Sequence, residues 1–441
     1  MMSLPSTMAE LARRRQRLAA VMQPNSIAIL PAAKEAVRNG DTVYPFRQHS
    51  DFYYLTGFTE PDAVMVLMST DARPHYILFN RERNTDREKW DGPRAGQTGA
   101  RETFLADESF PYAEFETRLP ELLKGKSTIY YPLGREATFD QCIMKSFNQL
   151  HSKVRAGVLV PEAVCDLSPL IYEMRLFKSE SEIALMQQAV DISVAGHTKV
   201  MQACKPGMYE YELQAILSHE FTRLGAPYHA YYPIVGAGHH SCTLHYMANN
   251  ARILANDIVL IDAGAEYQYY AADITRTFPA NGRFSAEQKA IYDLVLAAQS
   301  AAIATIKPGN PWDAAQLAIV NVLTQGLIDL KILVGSLAEH LEKQSILPYY
   351  MHLSGHWLGL DVHDVGRYKE KDGKTWRPLA PNMVLTVEPG LYLAETIPDL
   401  PARWHNIGVR IEDDVLVTEQ GARVLSEALP KTTADIEAIM Q

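Results

Sequence analysis

Apolar and polar positions follow two different periods along the chain, and the changes from one period to the other outline its elements. Residues 9–22 carry apolar side chains at helical spacing, and Ser26-Ile-Ala-Ile-Leu30 behind them is a short apolar run of the kind that forms a buried strand. Residues 63–67, 75–79 and 127–131 read as strands for the same reason, with helical stretches at 119–123 and 141–150 among them. Strands interleaved with helices predict an α/β N-terminal domain over 1–174.

The pattern then changes. Lys178-Ser-Glu-Ser-Glu182 opens a long helical stretch through His197, with Ser179 as its cap and Glu182 three residues on. Pro206-Gly207 breaks it, and a second helix is predicted over 209–224, ending at Gly225. Beyond that, one plan occurs twice: helices leading into strands around 230–278, and helices over 286–329 leading into strands around 384–417. Two related α+β halves sharing one site are expected over 175–441.

Composition narrows the function classes. A chain of 441 residues exceeds one ordinary core, and 47% hydrophobic content with dispersed charge predicts a soluble, folded protein. The net charge of -10 gives no basic surface for nucleic acid and disfavours a membrane-surface role. Arg13-Arg-Arg-Gln-Arg17 is a short basic cluster at a helix start, which reads as solvated surface. The N-terminal stretch lacks the apolar core of a signal peptide, and no run reaches the roughly 18 apolar residues of a membrane span, so a cytoplasmic location is expected. Cys142, Cys165, Cys204 and Cys242 form no CxxC, which indicates neither a zinc knuckle nor a disulfide framework.

The chemistry is concentrated in acids placed where packing alone would not put them. Asp262 ends the apolar run Asp257-Ile-Val-Leu-Ile-Asp262, and Asp273 follows in a second β-prone run. Glu388 closes Met383-Val-Leu-Thr-Val-Glu388-Pro-Gly390, and Glu412 sits in Ile407-Gly-Val-Arg-Ile-Glu412. Buried carboxylates are costly unless paired or metal-bound. Together with His356, these four acids are what a pair of hard divalent cations would need.

The motifs Ile261-Asp262-Ala-Gly264, Asp273-Ile-Thr-Arg-Thr277, His356-Trp-Leu-Gly359, Asp361-Val-His363-Asp364, Thr386-Val-Glu388-Pro-Gly-Leu-Tyr392 and Gly408-Val-Arg-Ile-Glu412-Asp413 resemble those of the proline-specific aminopeptidases of the creatinase, prolidase and methionine aminopeptidase family. The resemblance spans nearly the whole chain. It implies a pita-bread catalytic domain with pseudo-twofold halves, in which Asp262, Asp273, His356, Glu388 and Glu412 hold two divalent ions per subunit. One nitrogen against four oxygens favours Mn, with Co, Zn, Fe or Mg as alternatives. Two such ions can share a water, lower its pKa and hold it as the hydroxide nucleophile.

Glu388 is then the candidate to take the water proton and pass it to the leaving nitrogen. His363 is the candidate hydrogen-bond partner of the substrate carbonyl, and His245, which resembles a second substrate-contacting histidine, is the candidate for proton transfer. The resemblance assigns His352 to the leaving-side pocket, although Leu353-Ser-Gly355 departs in order from the glycine-first segment more common in the family. Arg410 is expected to orient an acid or hold substrate, with a plain salt bridge to Asp273 or Asp413 as the simpler role. Tyr392 resembles a tyrosine near the metal site, while Asp364, Thr275 and Asp413 are expected behind the ligands. Trp90, in Lys89-Trp-Asp-Gly-Pro-Arg94, resembles a residue that reaches a neighbouring subunit's site, which implies a dimer or tetramer and gives the N-terminal domain a role in oligomerisation and substrate access. The expected substrates are peptides with proline second. A prolidase limited to Xaa-Pro dipeptides is the nearest alternative, and a non-catalytic peptide-binding scaffold is the alternative from another class.

Overall fold

The computed structural model describes residues 8–70 and 73–441, in two compact units that divide between Arg175 and Leu176. In the first unit, six strands form one mixed sheet in the order Glu108–Pro111, His75–Asn80, Val64–Met68, Ile27–Pro31, Thr128–Tyr131, Ala163–Asp166. Ile27–Pro31 runs parallel to Thr128–Tyr131 and antiparallel to Val64–Met68. Ile29, Val66, Phe79 and Ile129 of these strands bury against Phe115, Leu119 and Ile143 of the helices Phe115–Leu123 and Ala137–His151. The four strands with continuous apolar runs lie within a residue of where the pattern puts them. Glu108–Pro111 and Ala163–Asp166 escaped it because they are the sheet edges, with half-exposed side chains and no apolar run.

The second unit opens on the helix Glu180–Ala203. Its capping box is formed: Ser179 Oγ accepts the Glu182 N–H at 3.3 Å and Glu182 Oε2 accepts the Ser179 N–H at 2.9 Å. The helix passes His197, where the sequence pattern stopped, because Val200 and Met201 continue its buried face. It packs on Glu210–Arg223, and Ala286–Ile303 packs in the same way on Ala314–Asp329. Each helix pair leads into a three-stranded sheet, Ile234–Ala237 with Ile258–Asp262 and Thr275–Pro279 in the first block, Val384–Val387 with Asp413–Thr418 and Gly421–Val424 in the second. Gly264 lets the chain turn back after Asp262, since a Cβ there would stand 1.7 Å from the Ala272 carbonyl oxygen.

Arg276 joins the two blocks. Fully buried, it donates to the carbonyls of Thr275 and Glu412 at 2.9 and 2.7 Å and to Asp413 Oδ1 at 2.7 Å. His197, also buried, meets the Ala263 carbonyl through Nε2 at 2.9 Å, and burial pulls its pKa from 6.5 down to about 4. The unfolded chain therefore binds a proton that the fold refuses, so this contribution is complete above pH 6.5 and is lost as pH falls toward 4, by about 3 kcal/mol in all. Denaturant unfolding between pH 7 and 4 should show that decline, and His197→Gln should flatten it; an unchanged slope would exclude His197 as its source.

Candidate metal centre

The acids singled out in the sequence converge. Asp262, Asp273, His356, Glu388 and Glu412 line one cavity of about 480 Å³, together with His245, His352, His363 and Arg410. Strand register brings them there. Asp262 closes Ile258–Asp262 directly opposite Thr275, and Glu412 bridges to the same Thr275, whose Oγ1 donates to Glu412 Oε2 at 2.7 Å. Glu388 follows Val384–Val387 and gives its N–H to Ser354 at 2.9 Å, while the His356 carbonyl accepts from Thr386 at 3.0 Å. One strand therefore positions both His356 and Glu388.

The electrostatics are those of a site short of positive charge. His356 Nε2 lies 3.2 Å from Asp273 Oδ2 and 3.8 Å from Glu388 Oε1, and one donor atom each of Asp273, His356 and Glu412 lie within 4.8 Å of one another. Burial raises the Glu388 carboxyl to about 8, with His356 opposing the rise and Asp273 adding to it. Glu412 is pushed well above the usual carboxylate range by burial and then by Asp273, Glu388 and Asp262. Asp262 is raised by burial against the pull of Arg410. For His356, burial disfavours the proton, but the hydrogen bond and charge of Asp273 outweigh it and lift the ring to about 9. Arg410 is the one permanent cation among the described residues lining the cavity. Four carboxylates with one guanidinium and the His356 ring among them fit bound cations, which would supply the missing charge. His356 Nδ1 faces the Trp357 carbonyl at 3.0 Å, which turns Nε2 toward the acids.

The residues expected behind the ligands divide into several roles. Arg410 pairs with Asp262 at 2.6 Å, not with Asp273 or Asp413, because its side chain crosses Thr275, the residue opposite Asp262 in the sheet. Tyr392 is buried and touches the cavity through its neighbours, accepting from Arg410 Nη1 at 3.0 Å and meeting His352 Nε2 at 2.8 Å. Asp413 points away, into Arg276 and Lys431, whose charges overcome burial and hold it at about 2. Alternation along the strand puts Asp414 on the site side instead, where Oδ2 accepts the Asp273 N–H at 3.1 Å. Tyr231 was not singled out by the sequence, yet its hydroxyl donates to Asp262 Oδ1 and reaches Asp273 Oδ1 at 2.5 Å. No local pattern marks it, whereas the acidic alternation Glu412, Asp413, Asp414 was a usable signal for Asp414. Asp364 pairs with Lys178. Trp90, on Thr85–Asp91 of the first unit, is 86% exposed.

The model of metallopeptidase family M24 matches residues 184–419, and that of the aminopeptidase P N-terminal domain matches 11–130. The chain belongs to metallopeptidase family M24. Membership makes it a metal-dependent hydrolase, and the fold and family expected from the motifs are borne out. An Escherichia coli Xaa-Pro aminopeptidase is 43% identical over 98% of this chain and 97% of its own length. Pseudomonas aeruginosa aminopeptidase PepP superposes with a TM-score of 0.97 at 49% identity, covering 99% of both chains. A variant of Escherichia coli aminopeptidase P in complex with substrate gives 0.96 at 42% identity, covering 99% of this chain and 98% of that one. Among the described residues, no helix is long and apolar enough to cross a membrane.

Proposed function

We propose that this M24 member is an Xaa-Pro aminopeptidase, releasing any N-terminal residue that precedes proline. The observation that carries the reading is the end-to-end similarity to Escherichia coli Xaa-Pro aminopeptidase, which includes the N-terminal domain as well as the catalytic one. Asp262, Asp273, His356, Glu388 and Glu412 would hold two divalent ions, and their oxygen-rich set favours Mn2+. When bound, such ions lower the pKa of a water and polarise the scissile carbonyl.

The remaining work falls to the chain. Glu388 takes the water proton and returns it toward the leaving nitrogen from the cavity wall it shares with His356. His363 donates to the substrate carbonyl as negative charge develops there, and His245 assists proton transfer from the same cavity wall. His352, held by Tyr392, lines the pocket for the leaving-side residue, and Arg410 holds Asp262 in place. Thr275 and Asp414 fix Glu412 and the Asp273 backbone. The exposure of Trp90 supports a place for it in a homo-oligomer, dimer or tetramer, where it reaches a neighbouring site. The protein works in the cytoplasm.

A peptide panel tests the assignment. Xaa-Pro-Yaa-Zaa should lose its first residue, Xaa-Ala-Yaa-Zaa should resist, and Xaa-Pro should be cleaved no faster than the tetrapeptide. Cleavage confined to the dipeptide would make the protein a prolidase instead.

A further inference from the structure

Glu388 and Glu412 stand opposite each other at a gap in one antiparallel ladder. Val387 pairs with Asp413 on one side of the gap and Gly390 with Arg410 on the other, and the register joining those pairs sets Glu388 against Glu412 and Pro389 against Ile411. The two acids direct their backbone donors elsewhere. Glu388 gives its N–H to the Ser354 carbonyl at 2.9 Å and Glu412 gives its own to the Thr275 carbonyl at 3.1 Å. Across the gap, the Ile411 N–H still meets the Pro389 carbonyl at 3.2 Å. The answering bond to the Ile411 carbonyl cannot form, because proline has no N–H.

Gln299, wholly buried on the helix Ala286–Ile303, enters this gap. Its Nε2 donates to the Ile411 carbonyl at 3.2 Å, in place of the donor that Pro389 lacks, and to the Val387 carbonyl at 3.2 Å. Its Oε1 accepts from Lys431 Nζ at 3.0 Å, and Lys431 also holds Asp413, the residue after Glu412. Carbonyls only accept and an ammonium only donates, so these partners fix which end of the amide faces the gap. The two carbonyls belong to the residues directly before Glu412 and Glu388.

We propose that Gln299 is a positioning residue for the metal site, setting the spacing of Glu388 and Glu412 through the main chain that precedes each. One planar amide bonded to both segments fixes their separation where the ladder is interrupted, and ligands that share ions depend on such support for their orientation. The proposal rests on the assignment of Glu388 and Glu412 as ligands.

The test separates positioning from stability in the full chain. The Mn2+ dissociation constant is measured by calorimetry on metal-stripped protein, kcat and KM at saturating Mn2+, and the unfolding midpoint without metal. Gln299→Met keeps the volume and removes the amide; Mn2+ should bind about 10-fold more weakly, and kcat should fall about 10-fold with KM little changed. Leu323→Ala, in the buried face of the neighbouring helix Ala314–Asp329, should lower the midpoint at least as far while Mn2+ affinity and kcat stay within about twofold. Unchanged Mn2+ affinity in Gln299→Met overturns the proposal, and so does an equal loss of affinity in Leu323→Ala, which would tie binding to general stability. Should Gln299→Met not fold, Gln299→Asn keeps the amide but draws it back by one methylene; Mn2+ should again bind more weakly, and unchanged affinity overturns the proposal. Full Mn2+ affinity in Glu412→Gln would instead overturn the ligand assignment, and the proposal with it.

Discussion

Glu388→Gln should lower kcat by roughly 10²- to 10⁴-fold at saturating metal, with KM for an Xaa-Pro peptide altered far less. The amide keeps the length and one oxygen of the carboxylate, so the cavity and most of the metal affinity survive, but it can neither accept the water proton nor return it to the leaving nitrogen. Glu388 is suited to the task by place as well as by type. The Ser354 carbonyl fixes its backbone at 2.9 Å, and its carboxylate Oε1 lies 3.8 Å from His356 Nε2 on the wall of the same cavity. Metal content must be measured in the same samples. Full turnover by a metal-replete Glu388→Gln protein would remove Glu388 from the proton-transfer role.

Stripping divalent ions with a chelator should bring hydrolysis to background and lower the unfolding midpoint, and restoring Mn2+ should recover both. The two effects have one cause. Asp262, Glu388 and Glu412 are each held above their ordinary pKa by burial, and Arg410 is the one permanent cation described in the cavity wall. Without added cations the cluster must retain protons or repel itself, and either state binds water poorly as a nucleophile source. Ions that bind only the folded form stabilise it by mass action as well. Metal-free protein that cleaved the peptide as fast as the loaded protein would refute the metal-dependent reading.

Much of this was legible before any coordinates. The four apolar strands of the N-terminal sheet, the Ser179 cap and the doubled helix-to-strand plan follow from local periodicity, which backbone geometry enforces residue by residue. The convergence of Asp262, Asp273, His356, Glu388 and Glu412 on one cavity was foreshadowed too, because a carboxylate at the end of an apolar strand is a visible anomaly. The Arg410 partner was not: the guanidinium reaches Asp262 across 148 positions of sequence, by way of a strand register that no local pattern specifies. The placement of Asp413 failed for a related reason, since alternation turns it to Arg276 and leaves Asp414 facing the site.

The sequence by itself determined the kinds of group available and the elements that carry them, since residue type and short-range spacing are local properties. Tertiary structure alone decided that Tyr231 would tie Asp262 to Asp273, that Lys178 would meet Asp364, and which acids would be raised or lowered in pKa. Those outcomes depend on distance, burial and register between segments far apart in the chain, and these exist only once the sheets have paired.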